Sequence, residues 1–196
     1  MPENGRQPEI RRRGPYADDP RRSPFRRGAP YLRRFLTPQG QPIDTRTNTT
    51  APLGLAETDA LIQSLDERCC RALGEPSENG ENPSLMHYVP GERFGAHCDG
   101  FDPATPAGKA EIEARGQRIK TLLVYLNEGY EGGETVFPRI GWRHKGKRGD
   151  AVMWENCLGD GTSDPRTLHE GAPPRSLEKF VFSKWMRARP QPAEAR

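Results

Sequence analysis

Hydrophobic residues change their spacing once along the chain. Within residues 55–73, apolar side chains such as Leu61, Leu65 and Leu73 recur every three or four positions with charged residues between them. This spacing predicts one amphipathic helix that ends at Gly74. After Gly74, short apolar or alternating runs are separated by glycine and proline, which is typical of strands. Five strands are predicted, at residues 84–89, 118–127, 135–137, 150–154 and 179–185.

Short strands without intervening helices indicate a mainly β fold, an antiparallel sandwich or barrel with one helix beside it. Residues 100–117 are mostly small or charged, and we expect them to form a long exposed loop. A chain of 196 residues is long enough for one domain and a tail. We place the domain at residues 35–190.

The first 34 residues differ from the rest in composition. They contain ten arginines, four acidic residues and six prolines and show no apolar period. Ordering such a segment costs more free energy than its burial returns, so we expect a disordered tail at residues 1–34. The net charge of +3 arises in this tail. Nucleic acid could be bound only there, through phosphate neutralisation, but a solvated tail is favoured because stacking aromatics are few.

Several classes of protein are excluded by what the sequence lacks. No apolar run approaches the roughly 20 residues of a membrane span, and none follows the arginine-rich start as a secretory signal would require. We therefore expect a soluble, cytoplasmic protein. The four cysteines form no CxxC pair, which favours reduced thiols over a structural zinc site.

Two histidines lie in settings that resemble a metal site. His97 and Asp99 are two positions apart, so in an extended segment both side chains project from the same face. His169, much further along the chain, could supply a third ligand. Two imidazoles and one carboxylate on one face of an octahedron leave three positions open, as in non-haem Fe(II) oxygenases. Alone, the short pattern is a weak signal, because it occurs by chance in many proteins, and a surface pair is then favoured over a metal site.

A lysine in the last predicted strand strengthens the iron interpretation. Strand alternation puts Lys179 on the same face as Val181, Ser183 and Trp185, and this face would be inward. A buried lysine is rare unless it is paired with an anion. 2-Oxoglutarate that chelates iron through its keto acid would hold its far carboxylate several ångströms away, where an ammonium group is a suitable partner. The alternative is an ordinary strand lysine that faces solvent.

These residues belong to a longer series of motifs between about Arg46 and Arg187. In order, the motifs are Glu78-Asn79-Gly80-Glu81, Tyr88-x-Pro90-Gly91, His97-x-Asp99, Gly116-Gln117-Arg118, Tyr125-Leu126-Asn127, Glu131-Gly132-Gly133-Glu134-Thr135-x-Phe137-Pro138, Gly149-Asp150-Ala151, Asp164-Pro165-x-x-Leu168-His169 and Lys179 with Trp185. The series resembles the prolyl 4-hydroxylase group of the 2-oxoglutarate- and Fe(II)-dependent dioxygenases. The resemblance implies a double-stranded β-helix, a distorted jelly roll, with iron near its open end.

The resemblance also implies a role for individual residues. Three match the iron ligands: His97, Asp99 and His169. Four match the co-substrate site, with the lysine as partner of the distal carboxylate and the others as hydroxyl donors: Lys179, Tyr88, Thr135 and Ser183. Two match positions near a peptide substrate: Arg118 and Trp185. The implied cofactors are Fe(II), 2-oxoglutarate as co-substrate and dioxygen, with ascorbate as a further candidate.

The implied reaction is oxidative decarboxylation of 2-oxoglutarate to succinate, coupled to hydroxylation of an unactivated C–H bond. Asp99 favours hydroxylation over halogenation, because halogenating relatives lack this carboxylate. The expected substrate is a prolyl residue in a peptide or protein. Phe94 and Arg187 replace a tyrosine and a histidine of the family pattern, however, so a free amino acid or small metabolite is the nearer alternative. For Arg118 a strand-end salt bridge and for Trp185 core packing are equally acceptable.

Two alternatives belong to other functional classes. An inactive barrel could serve as a nucleic-acid-binding or scaffold protein through its arginine-rich tail. A zinc hydrolase could use the same three ligands but would need a general base poised for water. Glu170 is next to a ligand, but strand geometry is expected to point it away.

Overall fold

The computed structural model describes residues 9–11, 33–34, 44–54 and 59–192. These residues form two helices, α1 (Ala60–Leu73) and α2 (Pro106–Arg115). They also form eleven strands: β1 (Glu9–Arg11), β2 (Arg33–Arg34), β3 (Thr49–Pro52), β4 (Ser84–Tyr88), β5 (Phe94–His97), β6 (Arg118–Tyr125), β7 (Thr135–Phe137), β8 (Trp142–His144), β9 (Ala151–Glu155), β10 (His169–Gly171) and β11 (Lys179–Arg187).

The strands form two antiparallel sheets. The larger sheet has the order β1-β9-β6-β11-β4-β3-β2, and the smaller has the order β5-β10-β7-β8. Side chains of both sheets share one core, where Leu123 and Val181 of the larger sheet lie with Phe137 of the smaller. The predicted jelly roll is confirmed. The part of the chain that the structure describes contains no helix that is long and apolar enough to cross a bilayer.

Helix α1 covers the outer face of the larger sheet. The Asp59 side chain caps its first turn by accepting hydrogen bonds from the Leu61 and Ile62 amides, and Gly74 ends it in the left-handed conformation, with φ of 68°. Its buried side chains, including Ile62 and Leu73, pack on Phe182 of β11. The predicted helix is therefore confirmed over Ala60–Leu73, while residues 55–58 lie outside the described residues.

Strand β11 runs through the centre of the larger sheet and alternates between two environments. Phe182 and Met186 pack in the outer cluster under helix α1, whereas Val181 and Trp185 pack between the sheets. Lys179 and Ser183 lie on the same face of the strand as Val181 and Trp185. The prediction that this face points inward is confirmed by their position in the cavity.

The expectation of an exposed loop at residues 100–117 is wrong, because helix α2 occupies most of it. Thr105 caps α2 by accepting a hydrogen bond from the Gly108 amide, and Pro106 stands in its first turn. Gly108 is its only buried residue. The helix has no apolar stripe that a periodicity argument could detect, and only the Thr-Pro start and the Gly116 end mark it in the sequence.

Strands β3, β5, β8 and β10 were not predicted either. They have three or four residues each, too few for an alternating pattern to stand out. Within the predicted tail, the structure describes β1 and β2 as the outer strands of the larger sheet. The disorder expected for the other residues of 1–34 falls outside the described residues and stays a prediction.

Candidate active site

Three candidate metal ligands meet where β5 ends and β10 begins. His97 and His169 are directly opposite each other in the register of these two strands, and Asp99 follows two positions after His97. One ligand atom from each side chain lies within 4.8 Å of the other two. Asp99 and His169 are buried and His97 is half-buried. The fold therefore brings together the three residues that the sequence singled out.

The backbone fixes which nitrogen of each histidine faces the cluster. The His97 Nδ1 atom lies 2.8 Å from the Gly95 carbonyl oxygen, and the His169 Nδ1 atom lies 2.9 Å from the Thr167 carbonyl oxygen. A carbonyl only accepts, so each Nδ1 carries a hydrogen, and in a neutral imidazole Nε2 then keeps a free lone pair. These Nε2 atoms lie 3.6 Å and 3.7 Å from the two carboxylate oxygens of Asp99.

The protonation states also fit a divalent metal ion. Burial raises the pKa of Asp99, but His169 and then His97 beside it outweigh this, so its pKa lies well below the usual range. Burial lowers the pKa of His169 to about 4. At neutral pH the cluster thus offers an ionised carboxylate and a neutral imidazole, the forms that bind metals. Two imidazoles and a carboxylate are the donor set expected for non-haem Fe(II).

The cluster opens into a cavity between the two sheets. All four predicted co-substrate residues line this cavity: Tyr88, Thr135, Lys179 and Ser183. Trp185 lines it as well, whereas Arg118 does not. The inward alternation of β11 explains why three of these side chains come from one strand.

Lys179 is buried in this cavity without an acidic partner. Its side chain is 1% exposed, and no carboxylate among the described residues forms an ion pair with it. Its ammonium nitrogen, Nζ, instead lies over an aromatic ring, 4.8 Å from the centre of Tyr88. Burial lowers the pKa of Lys179 to about 7, although Glu134 acts in the opposite direction. A buried cation of this kind is suited to an anionic ligand.

The cavity also contains hydroxyl groups with spare hydrogen-bonding capacity. The Ser183 hydroxyl is fully buried and has no hydrogen-bond partner. The Thr135 hydroxyl accepts a hydrogen bond of 2.6 Å from the Tyr125 hydroxyl, which leaves its own hydrogen available to another group. Among the described residues, the Tyr88 hydroxyl donates only to the Met86 sulfur, a weak acceptor 3.7 Å away. Burial raises the pKa of Tyr88, so this hydroxyl keeps its proton and can donate to a stronger acceptor. An unpaired lysine beside such donors fits the distal carboxylate of 2-oxoglutarate.

The sequence motifs indicate no role for Tyr125, although it is buried and its hydroxyl donates a hydrogen bond to Thr135. Strand alternation from Leu123, which lines the cavity, could have placed Tyr125 on the inward face. Its contact with Thr135 could not have been found, because that hydrogen bond connects strands of different sheets.

The two predicted substrate residues lie against each other at one side of the cavity. The Arg118 guanidinium is 4.4 Å from the centre of the Trp185 ring. Arg118 also donates two hydrogen bonds to the Glu81 carboxylate, at 2.5 Å and 2.8 Å. The indole N–H of Trp185 is buried and has no hydrogen-bond partner. Arg118 therefore makes the strand-end ion pair considered above, while Trp185 presents a free donor beside the cavity.

The two departures from the family pattern have different surroundings. Phe94 stacks on the His97 ring with 3.7 Å between the ring centres. Arg187 is fully buried and donates to Glu81 at 2.5 Å, to Glu111 at 2.7 Å and to the Gly116 carbonyl at 2.7 Å. Glu111 lies on helix α2, so Arg187 connects the end of β11 to the segment that follows Asp99.

Comparison with known proteins identifies the family. Residues 83–187 match the model of the 2OG-Fe(II) oxygenase superfamily. Prolyl 4-hydroxylase 1 of Arabidopsis thaliana is 34% identical over 165 residues, which cover 77% of this chain and 56% of that protein. The chain spans more than half but less than two thirds of the length of this and two other curated relatives that it matches.

Solved structures agree with this match. The viral collagen prolyl hydroxylase of Paramecium Bursaria Chlorella virus-1, solved as a 2OG complex, superposes with a TM-score of 0.61 at 27% identity and covers 74% of this chain and 80% of its own. A Pseudomonas putida prolyl-4-hydroxylase has the same fold, with a TM-score of 0.56 at 19% identity over 84% of this chain and 82% of its own. The chain therefore belongs to the 2OG-Fe(II) oxygenase superfamily.

Proposed function

We propose that this chain is an Fe(II)- and 2-oxoglutarate-dependent dioxygenase that hydroxylates an unactivated C–H bond of a prolyl residue in a peptide or protein. One feature carries the proposal: a buried lysine without an acidic partner shares a cavity with a cluster of two histidines and one aspartate. The cluster suits iron, and the lysine suits the far end of a dicarboxylic keto acid. Neither group alone would indicate this chemistry.

Each residue then has a defined task. His97, Asp99 and His169 hold the ion, while Lys179 binds the distal carboxylate. Tyr88, Thr135 and Ser183 supply hydrogen bonds from buried positions. The bound iron would supply the activation of dioxygen that no side chain can provide. The protein contributes orientation and a charged anchor.

Related proteins support a prolyl substrate. The curated relative from Arabidopsis is named as a prolyl 4-hydroxylase, and the viral neighbour is named as a collagen prolyl hydroxylase. For the substrate we assign Trp185, whose free indole N–H borders the cavity, and Arg118, which lies over that ring. Phe94 stacks on His97, and Arg187 shares the Glu81 carboxylate with Arg118, so both replacements contact residues of the proposed site. A free amino acid or small metabolite is therefore the outcome to test against.

The first experiment measures 2-oxoglutarate turnover. Purified protein loaded with Fe(II) should convert 2-oxoglutarate to succinate, and His169→Ala should abolish this turnover because an iron ligand is lost. His87→Ala is a matched control, since His87 stacks on Phe180 outside the cavity. Protein that is loaded with iron but neither binds nor consumes 2-oxoglutarate would contradict the proposal.

A second experiment identifies the substrate. Proline-containing peptides and free amino acids are incubated with the loaded enzyme and 2-oxoglutarate, and tandem mass spectrometry locates the added oxygen. Oxygen on a peptidyl proline supports the proposal, and oxygen only on free amino acids or small metabolites supports the alternative substrate. If the barrel is instead an inactive scaffold, neither product forms. A zinc hydrolase would show zinc-dependent cleavage without 2-oxoglutarate.

Three further expectations stay predictions. They are a domain at residues 35–190, a cytoplasmic location, and contact with nucleic acid only through residues 1–34. The third is tested by salt-sensitive binding that disappears when residues 1–34 are deleted. A requirement for ascorbate is tested by its addition to the turnover assay.

A further inference from the structure

A short chain of buried polar side chains runs from the candidate metal cluster into the larger sheet. The Thr121 hydroxyl on β6 lies 2.8 Å from the Oδ2 atom of Asp99. The Asn156 side-chain amide nitrogen lies 2.9 Å from the same Thr121 oxygen. Thr121 is 1% exposed and Asn156 is 0% exposed, so water does not compete for these hydrogen bonds.

The direction of each hydrogen bond follows from the groups involved. An ionised carboxylate only accepts, and a hydroxyl has one hydrogen. Thr121 therefore donates its hydrogen to Asp99, and its oxygen accepts from the Asn156 amide. A hydrogen bond to a charged acceptor is worth more than one between neutral groups.

The surrounding backbone leaves little freedom to this chain. In the strand register Thr121 is opposite Trp154 on one side and Trp185 on the other. The Asn156 amide donates to the Ile119 carbonyl at 2.8 Å, and the Asn156 carbonyl accepts from the Asp164 amide at 2.8 Å. The backbones of Thr121 and Asn156 are thus fixed by hydrogen bonds to neighbouring segments.

We propose that Thr121, supported by Asn156, is a positioning residue that fixes the orientation of Asp99 for metal binding. This inference rests on the proposed metal site. Thr121 occupies Oδ2 with a hydrogen bond and leaves Oδ1, which lies 3.6 Å from the His97 Nε2 atom, with its lone pairs free for the ion. Without the hydroxyl, the Asp99 side chain can turn, and the ion loses a pre-oriented ligand.

The test measures the affinity of the metal-free protein for Co(II), a stand-in for Fe(II) that is stable in air, by competition with a chelator. Groups that orient a metal ligand contribute about 10- to 100-fold in affinity. Thr121→Val keeps the shape of the side chain but removes the hydroxyl, and should weaken Co(II) binding by about 10-fold or more. Thr121→Ser keeps the hydroxyl and should bind Co(II) nearly as well as the unaltered protein. The visible spectrum of bound Co(II) should change in the valine variant alone.

A matched control separates orientation from packing. Thr49 is a half-buried threonine on β3 of the same sheet, and its hydroxyl lies 3.3 Å from the His87 ring nitrogen, outside the cavity. Thr49→Val therefore makes the same chemical change away from the cluster and should leave Co(II) affinity unchanged. Thermal unfolding of the metal-free variants verifies that each is folded. If Thr121→Val does not fold, Thr121→Ala removes the same hydroxyl and is judged by the same criterion.

The possible results have distinct meanings. Unchanged affinity in Thr121→Val would overturn the inference and leave the proposed function standing. Equal losses in the valine and serine variants would also overturn it, because the hydroxyl would then not be the cause. Failure of the unaltered protein to bind Co(II), with His97→Ala no different, would overturn the metal site and this inference together.

Discussion

Strand β11 contains buried cations in two contrasting environments. Arg187, at one end, donates to Glu81 and Glu111 and is fully enclosed by these acids and by backbone. Lys179, at the other end, is equally buried, but no acid among the described residues pairs with it. A buried charge costs several kcal/mol unless it is compensated. Acidic side chains of the protein compensate Arg187, whereas under the proposed function a bound ligand compensates Lys179. The two ends of β11 would then serve structure and binding respectively.

The largest effect is expected where the charge is compensated internally. Arg187→Met leaves the buried Glu81 carboxylate with one cation fewer and removes the ion pair between β11 and Glu111 of helix α2. Breaking one partner of a buried ion pair costs about 3–5 kcal/mol, so the free energy of unfolding should fall by about that amount. Urea denaturation of the metal-free protein measures it. The affinity of the folded variant for 2-oxoglutarate should stay within about two-fold, which is about 0.4 kcal/mol; a far larger loss would show that the two ends are not separate.

The reverse result is expected at the other end. Among the described residues, Lys179 is the only lysine or arginine that lines the cavity, and Lys179→Met removes it. Removing one partner of a buried charge pair costs about 2–5 kcal/mol in binding, so the affinity for 2-oxoglutarate should fall by about 30-fold or more. Isothermal titration with Fe(II) replaced by Mn(II) measures this affinity. The free energy of unfolding should not decrease, because no internal ion pair is lost.

Lys184 is a matched control on the same strand. It is 2% exposed, but its ammonium group lies 2.8 Å from the Asp66 carboxylate and donates to the Glu81 carbonyl at 2.7 Å. Lys184→Met should therefore lower the free energy of unfolding and leave 2-oxoglutarate affinity unchanged, the opposite of Lys179→Met. If both lysine variants behaved alike, the difference between compensated and uncompensated cations would carry no functional meaning.

The comparison can be sharpened by pH. Burial lowers the pKa of Lys179 to about 7, so the free protein carries its ammonium group below that pH. Above it, binding of the dicarboxylate requires uptake of a proton, and the affinity should fall by up to about ten-fold per pH unit. Titrations between pH 6 and 9 measure this, with Lys179→Met as the pH-insensitive control. A flat profile in the unaltered protein would contradict the lowered pKa.

The same group affects stability with the opposite sign. An unfolded lysine titrates near about 10.4, so between about pH 7 and pH 10 the unfolded chain binds more protons than the folded one. The cost of burying the charge is then present below pH 7 and is lost as the pH rises. Relative to Lys179→Met, the unaltered protein should become more stable over this range.

The larger sheet could be predicted much better than the smaller one. Strands β4, β6, β9 and β11 have one face against helix α1 and the other against the inner core, so they contain apolar runs that stand out in the sequence. Of the smaller sheet only β7 was predicted. Strand β5 reads Phe-Gly-Ala-His and β10 reads His-Glu-Gly, so the two candidate metal-ligand histidines lie in strands without the apolar pattern on which such predictions depend.

The site was predictable where the chemistry lies in local sequence. The spacing of His97 and Asp99 and the alternation from Lys179 to Ser183 are short-range features. Thr121 lies on a predicted strand, and alternation with Leu123 could have placed it inward. Its contact with Asn156 could not be predicted, because it depends on the register between β6 and the end of β9.

The smallest effect is expected at Ser183, which is a buried polar group without a partner among the described residues, like Lys179, but carries no charge. Its hydroxyl is buried and unpartnered, so the folded protein gains no hydrogen bond from it, and Ser183→Ala should not lower the free energy of unfolding. If the hydroxyl serves 2-oxoglutarate, its loss removes one hydrogen bond, about 1 kcal/mol, and the affinity should fall by about five-fold. Isothermal titration measures this, with Lys179→Met as the upper limit. An unchanged affinity would mean that the Ser183 hydroxyl is unpaired for a reason unrelated to the co-substrate. Of the two residues, only Lys179 would then bind 2-oxoglutarate.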